Sequence, residues 1–148
     1  MQKNIRRILW AVFFVLFMSG YAAAHCEIPC GIYDDEMRIK MIAEHIRTIE
    51  KSMKQIVALK GSQPVDYNQL VRWISNKEHH ADEIQKIASQ YFMTQRIKFD
   101  TDNYSKKLML LHKMLVYAMK CKQTTDLSNI DLLRKTLNAF HDLYFVRK

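Results

Sequence analysis

The stretch Asp34 to Leu59, DDEMRIKMIAEHIRTIEKSMKQIVAL, decides the fold. Its apolar residues Ile39, Ile42, Ile46, Ile49, Met53 and Ile56 recur at spacings of 3, 4, 3, 4 and 3. That is the seam of a helix that buries one stripe against partner helices. Asp34 and Asp35 precede the seam, where carboxylates accept backbone N–H groups and favour the positive end of the helix dipole. Gly61 and Pro64 punctuate its end.

Downstream residues supply the partners. A second helix is predicted from near Asp66 to about Tyr91–Phe92. Leu70, Ile74, Ala81, Ile84, Ala88 and Tyr91 share one face, and Lys77 interrupts the stripe. Residues 93–102 read as a polar connection. A third helix runs from about Asp102 to Lys122 on Leu108, Leu111, Leu115 and Ala118. A fourth follows Thr124-Thr125-Asp126, with Ser128 and Asp131 as a capping box and Ile130, Leu133, Leu137, Phe140 and Tyr144 as its seam. Four helices on short loops predict an all-α, up-down-up-down four-helix bundle over about residues 34–146. Only three Gly and two Pro in 148 residues agree with long helices. Met109, Met114 and Met119 widen the third helix's apolar surface. They either fill the core or mark a self-association face.

The formal charge is +8, and Lys3, Arg6 and Arg7 lie in the leader, so the chain after the leader carries +5. That excess attracts small anions. No basic residues alternate with aromatics along one face, so nucleic acid is not an expected partner.

Upstream, Lys3, Arg6 and Arg7 precede an apolar run, and Ala22-Ala23-Ala24 forms a small-residue cleavage site. These are the parts of a secretory signal over residues 1–24. From Ile8 to Ala24 is 17 residues, at the short edge of the ~17–25 that a spanning helix needs. The expectation is cleavage by signal peptidase, no membrane attachment afterwards, and export to the periplasm or beyond. The mature domain would span residues 25–148 and begin at His25.

His25-Cys26-Glu27-Ile28-Pro29-Cys30-Gly31-Ile32-Tyr33 would then stand at the mature terminus. Cys26, Cys30 and Cys121 are an odd set for an oxidising compartment. A Cys26–Cys30 disulfide would close a very small loop and stabilise little. A metal gives the pair another use. The free amine of His25 and the amide of Cys26 chelate, and the amide and thiolate of Cys26 extend the chelate. Cys30 adds a second thiolate, and the imidazole of His25 offers a further donor. Two nitrogens and two sulfurs in a plane suit Ni(II) or Cu(II) better than tetrahedral zinc.

This nonapeptide resembles the hook of the nickel-containing superoxide dismutases, His-Cys-x-x-Pro-Cys-Gly-x-Tyr, with every fixed position present over residues 25–33. Arg72, Lys77-Glu78 and Tyr91-Phe92 are looser matches. The resemblance implies a reaction that converts superoxide to dioxygen and hydrogen peroxide with Ni(II)/Ni(III) cycling. It implies one nickel per subunit, held by His25, Cys26 and Cys30 with the imidazole axial. It also implies Tyr33 as the residue that gates and orders a small-anion pocket, and a homohexameric assembly. The family holds the axial imidazole with a glutamate on the first helix and an arginine after Lys-Glu on the second. Here Met41 or Lys40 and His80 stand near those positions, with Glu44 and Glu36 as candidate substitutes. Tyr91 is offset by about one helical turn from the family tyrosine.

Rival readings are an exported helical protein that carries nickel or copper without turnover, and a structural bundle with a disulfide. His79 and His80 are adjacent and diverge on a helix, and His79 with Glu83 reads as a solvated face. His45, His112 and His141 read as scattered surface or satisfied side chains. Cys121 reads as a buried thiol, and Trp73 as packing.

Overall fold

The computed structural model describes residues 3–7, 10, 13 and 30–145. These fall into two units, one ending at Cys30 and one beginning at Gly31. In the first, residues 3–7 are helical. Most of the leader, and the hook residues His25 to Pro29, lie outside the described residues.

The second unit contains α1 (Asp35–Lys60), α2 (Tyr67–Lys86), α3 (Tyr104–Gln123) and α4 (Ser128–Phe145). α2 continues without a break into a π-helical stretch, Ile87–Arg96. α1 packs on α2, α2 on α3, α3 on α4, and α4 closes on α1. This is the predicted up-down-up-down bundle, and no strand occurs among the described residues. None of its helices is long and apolar enough to cross a membrane.

Asp34 alone caps α1, its Oδ1 accepting the Met37 N–H at 2.9 Å. All six seam residues of α1 are buried, and each such side chain contributes about 1.5–3 kcal/mol of transfer free energy. Asp66 caps α2 in the same way, accepting the Gln69 N–H at 3.1 Å. The first turns of α2 depart from expectation. Ile74 is 40% exposed and stands outside with Tyr67 and Val71. The core face of α2 begins only at Lys77 and continues through Ala81 and Ile84.

Lys77 itself is 4% exposed. Its Nζ donates to the carbonyls of Cys121 and Lys122 and to Glu78 Oε1. Those carbonyls close α3, so a buried cation meets the negative end of a neighbouring helix and satisfies acceptors the helix cannot. The methionines of α3 divide: Met114 fills the core, whereas Met109 and Met119 are exposed. At α4, Asp126 replaces the expected capping box. Its carboxylate accepts both the N–H and the hydroxyl of Ser128, while Asp131 faces Arg134.

Candidate functional site

The residues that follow the hook meet the bundle at a cluster built on Asp35. Asp34 takes the capping role, which leaves the Asp35 side chain free to turn inward. Its carboxylate accepts the Tyr91 hydroxyl at 2.5 Å and the Tyr144 hydroxyl at 2.7 Å. Arg96 clasps it with Nε at 2.8 Å and Nη2 at 2.7 Å. Burial alone would raise the Asp35 carboxyl. The hydrogen bonds from Arg96, Tyr91 and Tyr144 outweigh that and hold it below the ordinary carboxylate range. Burial and the same carboxylate push the Tyr144 phenol up to about 12 and raise Tyr91 further.

The π-helical stretch makes this cluster possible. In an α-helix, residues five apart point roughly 140° away from each other. In a π-helix, bonded i to i+5, they lie nearly one above the other. Tyr91 and Arg96 are five apart and both reach Asp35. Thr94 Oγ1 donates to the Ser89 carbonyl and Gln95 Nε2 to the Gln90 carbonyl, again five apart, so side chains reinforce the wide turn. The expected helix end at Tyr91–Phe92 is therefore overrun to Arg96.

Tyr33 lies against this cluster. Its ring stands edge-on to Tyr91, with centroids 5.9 Å apart. The Arg96 guanidinium carbon sits 4.3 Å from the Tyr33 ring centroid, and the Arg38 carbon 5.0 Å from that of Tyr91. A row of guanidinium, phenol, phenol, guanidinium results, with each cation on a ring face. Tyr33 is 39% exposed, and its hydroxyl makes no hydrogen bond among the described residues. Tyr91 is thus beside Tyr33 despite the offset in sequence.

The expected metal ligands are less fully placed. His25 and Cys26 lie outside the described residues. Cys30 sits in a turn and is disulfide-bonded, so its sulfur must be reduced before it can serve a metal. Gly31 follows at φ 84, a left-handed conformation that suits glycine. Cys121 is the free cysteine and is fully buried, and burial pushes its thiol up to about 11. Among the described residues no group of three or more His, Cys, Asp or Glu side chains is placed to hold a metal ion.

The side chains named as candidate partners of the His25 imidazole also find places. Glu36 faces His141 at 3.5 Å. Glu44 is exposed, and Met41 is half-buried under the Arg38 guanidinium, Nη1 to Sδ 3.7 Å. His80 pairs across the helix seam with His45, Nδ1 to Nδ1 at 2.8 Å, which gives His45 one of the satisfied roles expected of it. Arg72 and Trp73 line an open cleft of about 400 Å3 with Lys51 and Asn76. Lys51 Nζ lies 5.7 Å from the Trp73 ring, which agrees with a packing role for Trp73. In the sequence reading Asp35 was only a helix-start carboxylate and Tyr144 only a seam residue, and Arg38 and Arg96 were not singled out. The Asp-Asp pair after Tyr33 was the nearest hint, because one helix needs only one cap.

The described residues form an all-helical four-helix bundle, and the sequence before it carries the His25 to Tyr33 motif. A family model described as nickel-containing superoxide dismutase matches residues 20–148, which takes in the hook and all four helices. The chain belongs to that family: it is a superoxide dismutase, and its cofactor is nickel. Neither the curated proteins nor the solved structures offer a match.

Proposed function

We propose that nickel is held by the amine and imidazole of His25, the amide and thiolate of Cys26 and the thiolate of Cys30. The unbroken motif over residues 25–33, inside the matched range, carries this assignment. The donor set fits the metal: soft thiolates and strongly donating nitrogens suit Ni(II) and stabilise a higher oxidation state. Bound there, nickel supplies a one-electron couple that oxidises one superoxide to dioxygen and reduces another to peroxide. The protein's own part is positional. Tyr33 offers an uncommitted hydroxyl that donates to a small anion, and the Asp35 cluster fixes Tyr91 against its edge. The positive excess of the chain draws anions toward the protein.

Residues 1–24 act as an export signal in this reading, and signal peptidase exposes the His25 amine outside the cytoplasm. The mature chain assembles as a homohexamer. Exposed Tyr67, Val71 and Ile74 on α2, with Met109 and Met119 on α3, support self-association.

The test is the mass and metal content of the exported protein after reduction, compared with a variant carrying one extra Ala before His25. The expected result is one nickel per chain beginning at His25. The extended form should lose nickel and at least 100-fold in activity, because its terminal amine has become a weakly donating amide; its helical content should not change. An extended form that binds nickel and turns over normally would refute the amine ligand.

A further inference from the structure

Among the described residues no carboxylate pairs with Arg38. Three acids lie within four residues of it, and all are engaged elsewhere: Asp34 caps α1, Asp35 is clasped by Arg96, and Glu36 faces His141. The Arg38 Nε is buried and has no acceptor. Among the described residues the guanidinium makes one hydrogen bond, from Nη1 to the Met41 thioether at 3.7 Å, a weak acceptor. A buried N–H left without a partner costs about 1–3 kcal/mol, more when the group is charged. The same guanidinium lies on the Tyr91 ring, whose edge meets Tyr33. Its counterpart Arg96, on the Tyr33 ring, is neutralised by Asp35. The two cations flanking the tyrosine pair therefore differ: one is spent on a carboxylate and the other has its charge available.

We propose that Arg38 is an anion-binding residue, one aromatic ring away from Tyr33, that takes a small monovalent anion and thereby docks superoxide beside the gate. It rests on the reading of Tyr33 given above. Guanidinium N–H groups suit a small oxygen anion, and the half-buried guanidinium can offer its Nη groups to one. The anchor also has a rigid seat, because the hydroxyl of Tyr91 is held by Asp35 and its ring cannot turn away.

The probe is bromide, titrated into the reduced, metal-free full-length mature protein and followed by the 15N–1H resonance of the Arg38 Nε–H group. A saturable shift is expected, and it should be absent from the corresponding spectra of Arg38→Met at every other site resonance, including that of Arg96. In the nickel-loaded enzyme, Arg38→Met should lower kcat/KM by about tenfold at low ionic strength and flatten its salt dependence, whereas Arg38→Lys should keep most of that dependence. If bromide produces no saturable shift and Arg38→Met keeps the wild-type salt slope, Arg38 is only a strut under Tyr91 and the proposal is overturned. Saturable bromide binding in a protein that fails to dismutate when nickel-loaded would instead sustain the anion site and sink the role assigned to Tyr33.

Discussion

Two polar clusters are built on side chains of α1, and they are satisfied in opposite ways. At its first turn, Asp35 accepts hydrogen bonds from two phenols and a two-pronged guanidinium, so a half-buried negative charge is met by an equal positive one. Further along, His45 and His80 meet as two bases of the same kind. One imidazole must donate to the other, and His45 Nε2 is left buried with no partner. Burial lowers the affinity of both imidazoles for a second proton, and the positive charge of the neighbouring histidine adds to it. The first cluster holds charges and gains from them. The second is tolerated only while it stays neutral. A buried group is secured less by its depth than by whether its partner carries the opposite charge.

The comparison breaks most visibly at its centre. Asp35→Ala leaves Arg96, Tyr91 and Tyr144 without their acceptor. Removing one partner of a buried ion pair costs about 3–5 kcal/mol, and the residual solvent access of Asp35, 14%, places the expected loss near the lower end. Denaturant unfolding would measure it, and a loss below about 1 kcal/mol would show that Asp35 does not organise the cluster. Tyr144→Phe should cost less, about 1.5 kcal/mol for one hydrogen bond to a charged group, because Arg96 and Tyr91 still hold the carboxylate. A Tyr144→Phe variant as unstable as Asp35→Ala would mean the ring, not the hydroxyl, is the important part.

The smallest effect is one of pH. The folded protein lowers both imidazoles below their ordinary 6.5, so the unfolded chain takes up protons first on acidification. Stability from the pair is complete above 6.5 and is lost as pH falls through the lowered folded values. Asp35, lowered from 3.8, keeps its contribution until pH falls below that value. Between pH 7.5 and 5.5 the wild type should therefore lose stability through the histidines, while the Asp35 cluster is unaffected. The double variant His45→Leu, His80→Leu should flatten that window. An equal slope in the double variant would assign the acid response to other groups.

The residues that could be read in advance are those whose partners are implied by spacing. The Ile39 to Ile56 seam is buried throughout because a 3–4 repeat needs no knowledge of the opposing helix. The hook motif could be noticed for a similar reason, since its candidate donors His25, Cys26 and Cys30 lie within six residues of sequence. The Asp35 cluster was not. It draws on α1, α4 and a π-helical turn, and a reading based on 3.6 residues per turn places Tyr91 and Arg96 on different faces. His45 and His80 are 35 residues apart, and no periodicity links them. Ile74 misled because α2 begins outside the core, so the first two turns of its stripe face solvent. Lys77 looked like an interruption because its partners are the last carbonyls of a different helix.

The burial of Cys121 bears on how the chain acquires its hook. Three cysteines allow three disulfide pairings. A thiol sealed in the core, with its ionisation pushed up to about 11, offers almost no thiolate for exchange. Once the bundle closes, two of the three pairings are withdrawn. The third sulfur is thus kept out of competition, and the two hook cysteines have only each other, or a metal, to choose from.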